Sequence, residues 1–392
     1  MIDGLRAAHT TIIPQNCLHL GDVTMVEPKT IALLGSTGFL GPYITASLLQ
    51  KHSRAKILCL NRSEDGEQRT TSSLQRISSD NLASSSRLHF MTTDITQPNL
   101  GLDDTQYKQL VCEVDEIVFN AWNANWAVPL AKFEPLLNAV RNVVEACIGS
   151  LRKARVTFVS SNCSIMNWPS RHPEQPLIPE EPAWEYATAA DSGYGQSKCI
   201  AEQLLARANL DSGVRIAIVR AGQIGGPSSA IASSPGWPIQ GWLWVTFKTS
   251  QQLGCWPVHM NAVDWIPVDA LAEGITNITL SQPSNNDVTK VYNMMHPNPA
   301  PWVLLHNVLT EKFGLAVKGV TLPQWLGLLD PKVFKMHGFM AAAGEGREQE
   351  AMVFHNKNAL EMLPKVENLT AKQIEVWLKG WRLRLGEARA RL

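Results

Sequence analysis

The seven cysteines of this 392-residue chain form no CxxC pair and no metal-ligand spacing, and their number is odd. That pattern argues against a disulfide framework and against a structural metal; it reads as reduced thiols in a cytoplasmic setting. Net charge is also missing, since 35 basic residues balance 35 acidic ones. A neutral chain is poorly suited to nucleic acid or to an anionic membrane surface. No apolar run reaches membrane-spanning length, and the first residues lack the charged-then-apolar order of a signal peptide. No internal repeat is visible. Tryptophan is abundant, with 13 residues, and the hydrophobic content of 45 % is ample for a large core.

The chain is organised around Thr30 to Lys51, TIALLGSTGFLGPYITASLLQK. Ile31 to Leu34 is a short apolar run, as expected of a buried strand. Gly35, Gly38 and Gly41 follow at spacing three, and Leu40, Ile44 and Leu48 then recur every four residues. Pro42 falls in the first turn of that helix, where its missing N–H costs nothing. Strand, glycine turn and helix in this order is the context a dinucleotide fingerprint requires. The whole turn, Gly35-Ser36-Thr37-Gly38-Phe39-Leu40-Gly41, is the expected phosphate loop, with the helix N-terminus facing the negative charge.

The second strand, Lys56 to Leu60, ends in Asn61-Arg62. An Asp or Glu at this tip holds a ribose 2′-OH, whereas an Arg accommodates a 2′-phosphate. With no acid at the tip and Arg62 and Arg69 nearby, the cofactor expected is NADPH. Strand three, Leu88 to Met91, leads to Asp94-Ile95, and strand four, Glu116 to Phe119, to Asn120-Ala121-Trp122. Asn120 is either a ligand-crevice residue or the cap of a turn. Leu136 to Ile148 is helical by its apolar spacing, and Asn138 within it is either a brace of the site or a plain helical Asn. Strand five, Val156 to Val159, runs into the hydroxyl-rich tip Ser160-Ser161-Asn162-Cys163-Ser164, and strand six, Arg215 to Val219, leads to Ala221 and Gln223.

Tyr194 and Lys198 stand four residues apart and share a face of the helix expected to open at Tyr194. An ammonium beside a phenol favours the phenolate and moves its pKa of ~10 toward neutrality, which makes a usable general acid. Lys198 is also expected to reach the nicotinamide ribose. Ser161 is placed to hold a carbonyl oxygen across the cleft, with Ser160 and Ser164 as its competitors.

This order of parts resembles the extended short-chain dehydrogenase/reductase superfamily over roughly residues 30–295. The segments GSTGFLG, CLNRSEDGEQR, NAW at 120–122, FVSSNCS, GYGQSK, RAGQIGGP and VDWIPVD resemble, more narrowly, a terminal thioester reductase domain. Such domains end fungal polyketide synthases and nonribosomal peptide synthetase-like proteins and are related to carboxylic acid reductases. The resemblance implies Ser161, Tyr194 and Lys198 as catalytic residues. It also implies Gly35, Gly38, Gly41 and Arg62 as cofactor ligands, and a carrier domain bearing a phosphopantetheine thioester as partner. The reaction implied is reductive release of the acyl group as an aldehyde, with a second round to the alcohol left open. Phe119, Asn123 to Trp126 and Arg141 depart from the family pattern and leave the acyl group unassigned.

The fold expected is α/β, a Rossmann-type doubly wound parallel sheet with a smaller, mostly helical C-terminal substrate domain. Residues 1–29 read as a lead-in or linker. Residues 30–226, with 263–295 returning, form the NADP-binding domain; 227–262 and 296–392 form the substrate subdomain. Trp237, Trp242, Trp244 and Trp256 are either a stacking surface for an aromatic acyl chain or core anchors. Arg152, Lys153, Arg155 and the stretch from Lys379 to Arg391 are either a docking patch for an acidic carrier or cations at helix ends. Two other readings stay open. One is a reductase of a free ketone or aldehyde, or a sugar-nucleotide epimerase or dehydratase; the other is a non-catalytic NADP-sensing regulator.

Overall fold

The structure, a computed structural model, describes residues 29–78, 80–228, 236–258, 260, 262–281, 288–315, 317–330, 340 and 353–381. All of the expected lead-in except Lys29, and the basic stretch beyond Trp381, lie outside the described residues.

Seven strands make one sheet: β1 (Thr30–Leu34), β2 (Lys56–Asn61), β3 (Leu88–Thr92), β4 (Glu116–Phe119), β5 (Arg155–Ser161), β6 (Ile216–Ala221) and β7 (Lys290–Met294). Their order is β3-β2-β1-β4-β5-β6-β7, and every pairing is parallel. The order reverses between β1 and β4, which is where such sheets open a ligand crevice at their carboxyl ends. Register brings Leu34 beside Leu60 and Phe119, and Ser161 beside Ala221, so the strand tips share one edge.

Apart from the edge strand β3, the sheet is buried on both faces, as its near-continuous apolar strands demand. Residues alternate along β1, so Ile31 and Leu33 face one layer and Ala32 and Leu34 the other. The first layer holds α1 (Gly41–Lys51), α2 (Gly66–Ile77) and, from late in the chain, Val268–Leu280. The second holds α3 (Asp104–Glu113), α4 (Glu134–Gly149) and α5 (Gly193–Ser212). Ser192 caps α5 by accepting from Gly195 N–H, and Gly213 ends it in the left-handed conformation at φ +72°.

A third core gathers the tryptophans. Helices Gly241–Leu253, Trp302–Phe313 and Ala371–Lys379, taken as α6, α7 and α8 outside the sheet layers, enclose Trp237, Trp256, Trp265, Trp302, Trp377 and Trp381. Trp237 and Trp256 are 3 % and 0 % exposed, which makes them core anchors and removes them from any acyl surface; Trp242 and Trp244 are half-buried. Trp377 fastens this unit to the sheet. A Cβ on Gly225 or Gly226 would lie 2.5 or 2.3 Å from its ring, and its indole N–H donates to the Pro227 carbonyl at 2.9 Å.

Of the expected basic patch, Lys153 stays exposed while its two neighbouring arginines are engaged. Arg155 is buried, bonded to Glu116 at 2.9 Å and to carbonyls of the Val268–Leu280 helix, and Arg152 pairs with Asp115. Both lie at the amino end of β5, opposite the strand tips that carry the site.

Candidate active site at the carboxyl edge of the sheet

The glycine turn is built by three different needs. Gly35 has φ +88°, and a Cβ there would meet the Ala121 backbone at 3.1 Å. At Gly41 a Cβ would sit 2.4 Å from Gly35 O, so helix α1 can close on the turn only without a side chain. At Gly38 the nearest atom to an added Cβ would be Gly35 O at 4.0 Å, so no protein contact demands glycine there. That open face is where backbone can approach a phosphate.

The residues around the turn divide into surface and frame. Gly38 and Arg62 are exposed and Thr37 and Phe39 half-buried, whereas Ser36, Leu40, Gly41, Asn61, Ile95 and Ala221 are buried. Asn61 Nδ2 donates to Ser36 Oγ at 2.9 Å, and Ser36 Oγ lies 2.9 Å from Thr70 Oγ1. These three lock the turn to the β2 tip and to α2, so Ser36 and Asn61 frame the loop from behind instead of lining it. Asn120 Nδ2 donates to Gly35 O at 3.1 Å, which makes it a brace between β4 and the turn. Ile95 O accepts from Asn142 Nδ2 at 3.0 Å, a helix α4 contact. Arg62 is exposed with no hydrogen bond or ion pair among the described residues, while Arg69 pairs with Asp65 at 3.8 Å. Burial pushes the Asp94 carboxyl up, but donors from Thr96 and Gln97, with the Arg62 charge, hold it below the usual range.

At the β5 tip the three serines separate cleanly. Ser160 and Ser164 both donate to Glu202 Oε1, Ser164 at 2.6 Å. Ser161 is not held by Glu202: its hydroxyl donates to Asn162 Oδ1 at 3.3 Å, and it is the serine whose hydrogen bonding opposes the rise in the Tyr194 pKa. Its hydroxyl also accepts from Cys163 N–H at 3.3 Å. Burial raises the Tyr194 pKa, the neighbouring Cys163 adds to the rise, and the Ser161 hydrogen bond opposes it. Trp126 lies flat against the phenol ring, with centroids 5.8 Å apart and planes 15° apart. The Cys163 thiol, pushed up to about 12 by burial, is a neutral neighbour.

Lys198 is not beside the phenol. Its Nζ donates to the Val159 carbonyl at 2.7 Å, with the Trp122 and Phe158 rings 4.3 and 4.5 Å away. Burial holds its pKa well below the usual lysine range, against the attraction of Glu202. The shared helix face is as the spacing predicts, but a four-carbon side chain on that face reaches into the sheet as easily as along it. In this arrangement the Lys198 hydrogen bond goes to the Val159 carbonyl, and what opposes the rise in the Tyr194 pKa is Ser161.

The structure also places two further candidates. Asn138 is exposed, and it is Asn142, one turn on, that ties α4 to the β3 loop through Ile95 and Gln97 carbonyls. The Gln223 amide is engaged at both ends, accepting from Trp242 Nε1 at 2.9 Å and donating to Gln240 Oε1 at 3.1 Å. Glu202 and Arg220 escaped sequence reasoning altogether. A signal existed for each: Glu202 continues the Tyr194–Lys198 helix face by one more turn, and Arg220 is a lone charge in the buried strand IAIVRA.

The model of the NAD-binding family described as Male sterility protein matches residues 33–275, more than half of the chain. The chain belongs to that family. Membership places it among the NAD(P)-dependent reductases. A carboxylic acid reductase of Neurospora crassa is 31 % identical over 78 % of the chain, which spans 29 % of that protein's length. The non-reducing polyketide synthase dbaI of Emericella nidulans is 29 % identical over 73 % of the chain, which spans 11 % of it. Among solved structures, the terminal R domain from the myxalamid PKS-NRPS biosynthetic pathway superposes with TM-score 0.72 at 23 % identity, covering 91 % of both chains. That likeness fixes the fold. No helix among the described residues is long and apolar enough to cross a membrane, and none of their His, Cys, Asp and Glu cluster as metal ligands.

Proposed function

We propose that the chain is an NADPH-dependent reductase that releases a carrier-bound acyl thioester as an aldehyde. The observation that carries this reading is the set of parts at the carboxyl ends of the strands: the glycine turn after β1 with an open face at Gly38, and the Ser161 hydroxyl at the β5 tip, the one serine there that Glu202 does not hold, followed by the Tyr194 helix. Support comes also from relatives that are a carboxylic acid reductase and a polyketide synthase.

The residues present fit the dinucleotide. Gly38 offers a backbone face with no protein atom close to it, and Arg62 is an exposed cation with no hydrogen bond or ion pair among the described residues, acting on Asp94 through its charge alone, at a strand tip lacking an acid. Gly35 to Gly41 would hold the pyrophosphate and Arg62 the 2′-phosphate. Bound there, the reduced nicotinamide supplies hydride to the acyl carbonyl carbon.

The protein's own part is orientation and proton supply. Ser161 and Tyr194 hold the carbonyl oxygen between two hydroxyls, placed where negative charge develops. Tyr194 donates its phenolic proton to that oxygen, giving a hemithioacetal. The C–S bond then breaks, releasing aldehyde and leaving a free thiol on the carrier arm. Lys198 assists Tyr194 only after its side chain leaves the Val159 carbonyl. We assign the substrate side to the described residues within 227–262 and 296–381, which include the half-buried Trp242 and Trp244.

The test mixes the protein with NADPH and acetyl, octanoyl and benzoyl pantetheine, follows cofactor absorbance and identifies the products. Tyr194→Phe is expected to remove most turnover while NADPH binding persists. Wild-type rates in that variant would refute the role given to Tyr194.

A further inference from the structure

The most densely satisfied polar group behind the site is a carboxylate that the proposed chemistry does not use. Glu202 is 1 % exposed on helix α5, two turns beyond Tyr194 and one beyond Lys198. Its Oε2 accepts from Arg220 Nε at 3.0 Å and from Arg220 Nη2 at 2.8 Å. Its Oε1 accepts from both Ser160 and Ser164. The two serines flank Ser161 in sequence, and the Ser164 hydroxyl also lies 2.7 Å from the Ser161 carbonyl oxygen. A hydroxyl has one proton, so Ser164 shares it between the Glu202 carboxylate and the Ser161 backbone.

Arg220 carries the same network outward. Its remaining donors reach the carbonyls of Pro179 at 3.1 Å and Glu181 at 3.0 Å. Those two residues belong to the proline-rich passage between β5 and α5. One buried ion pair therefore joins four parts: the β5 tip, the Tyr194 helix, the β6 end and the loop that crosses between them. A buried charge pair with both carboxylate oxygens and four of the five guanidinium N–H groups engaged gives one fixed geometry. Replacing it with apolar side chains would hold the core equally well. Its distinctive property is direction: it sets where the backbone of Ser161 points.

We propose that Glu202, anchored by Arg220, is a positioning residue that holds Ser161 against the Tyr194 phenol through Ser160 and Ser164. The inference rests on the roles given above to Ser161 and Tyr194. Positional demands on reacting groups are steep, and a displacement of ~1 Å can cost ~100-fold in rate. A carboxylate behind the strand tip thus acts on turnover without touching substrate.

The experiment compares Ser164→Ala, Glu202→Gln and Ser161→Ala with the wild-type 392-residue chain. It uses NADPH and whichever of the three acyl pantetheines turns over fastest. Ser164→Ala removes the strap and leaves the Glu202–Arg220 pair intact, so it remains informative even when Glu202→Gln fails to fold. Ser164→Ala is expected to lower kcat about 10-fold with both KM values within about 2-fold and little change in Tm. Wild-type kcat in folded Ser164→Ala, alongside a crippled Ser161→Ala, overturns the positioning role alone. A kcat loss that merely follows a fall in Tm also overturns it. Wild-type kcat in Ser161→Ala refutes the assignment of Ser161 itself, a separate failure.

Discussion

Lys198 donates its hydrogen bond to the carbonyl of Val159, 2.7 Å away, and not toward the Tyr194 phenol that shares its helix face. The contact lies under two aromatic rings, where cation–π attraction of ~0.5–2 kcal/mol per ring partly offsets the loss of water. Burial nevertheless wins, because the lysine pKa falls well below its usual range. The cleft is thus held with its lysine withdrawn.

Lys198→Met is expected to separate stability from activity. The folded state binds the lysine proton less readily than the unfolded chain, so this lysine erodes stability increasingly as pH falls below the ordinary lysine range. The variant should match or exceed the wild-type Tm, with its advantage larger at acid than at alkaline pH. Its turnover should drop ~100- to 10,000-fold, the range for lost acid–base assistance. Differential scanning calorimetry across pH, with turnover on the pantetheine panel, checks both halves.

The last two glycines of the turn should respond oppositely to alanine. Gly41→Ala drives a Cβ to 2.4 Å from Gly35 O and should destabilise the protein by about 1–3 kcal/mol or more. Gly38→Ala meets no protein atom closer than 4.0 Å, so its melting temperature should stay near wild type. Its dinucleotide affinity should fall at least 10-fold by calorimetric titration. Unchanged affinity in Gly38→Ala would remove that face from cofactor binding.

Arg62→Ala should discriminate between the two dinucleotides. A charged hydrogen bond is worth about 1.5–3 kcal/mol, so KM for NADPH should rise roughly 10- to 100-fold. KM for NADH should not change. Equal effects on both cofactors would show that Arg62 does not read the 2′-phosphate.

Asp264, half-buried in the segment VDWIPVD, is expected to make the protein less stable as pH rises from about 4 to 6. Burial lifts its carboxyl to about 6, so the folded state keeps a proton that the unfolded chain releases near pH ~4. The contribution is present below that window and lost through it, by at most roughly 3 kcal/mol at ~1.4 kcal/mol per unit. Asp264→Asn should flatten this part of the profile and raise Tm at pH 7. Urea unfolding at pH 4, 5, 6 and 7 measures it.

The strands were legible because they are short apolar runs that end in glycine, Asn-Arg or serine. Their ends were less so. β5 reaches Ser161 although its apolar run stops at Val159, since pairing with β6 carries the ladder on to Ala221. The polar helix GEQRTTSSLQRI at 66–77 shows little apolar spacing and passed unread, and α6 hid among glycine, proline and tryptophan. Of the serine cluster, the sequence supports any of three; the Glu202 carboxylate takes two and leaves Ser161. The Lys198 direction was invisible because spacing determines a helix face but not where a flexible side chain ends.

Trp377 has a practical corollary. Its indole fills the space that any side chain on Gly225 or Gly226 would need, and its N–H is tied to Pro227. The polypeptide therefore cannot be divided into two independently expressible halves at the end of β6. A truncation that stops at Thr370 would unplug this joint and bare the apolar sides of Trp237 and Trp265, and its product should be recovered from inclusion bodies.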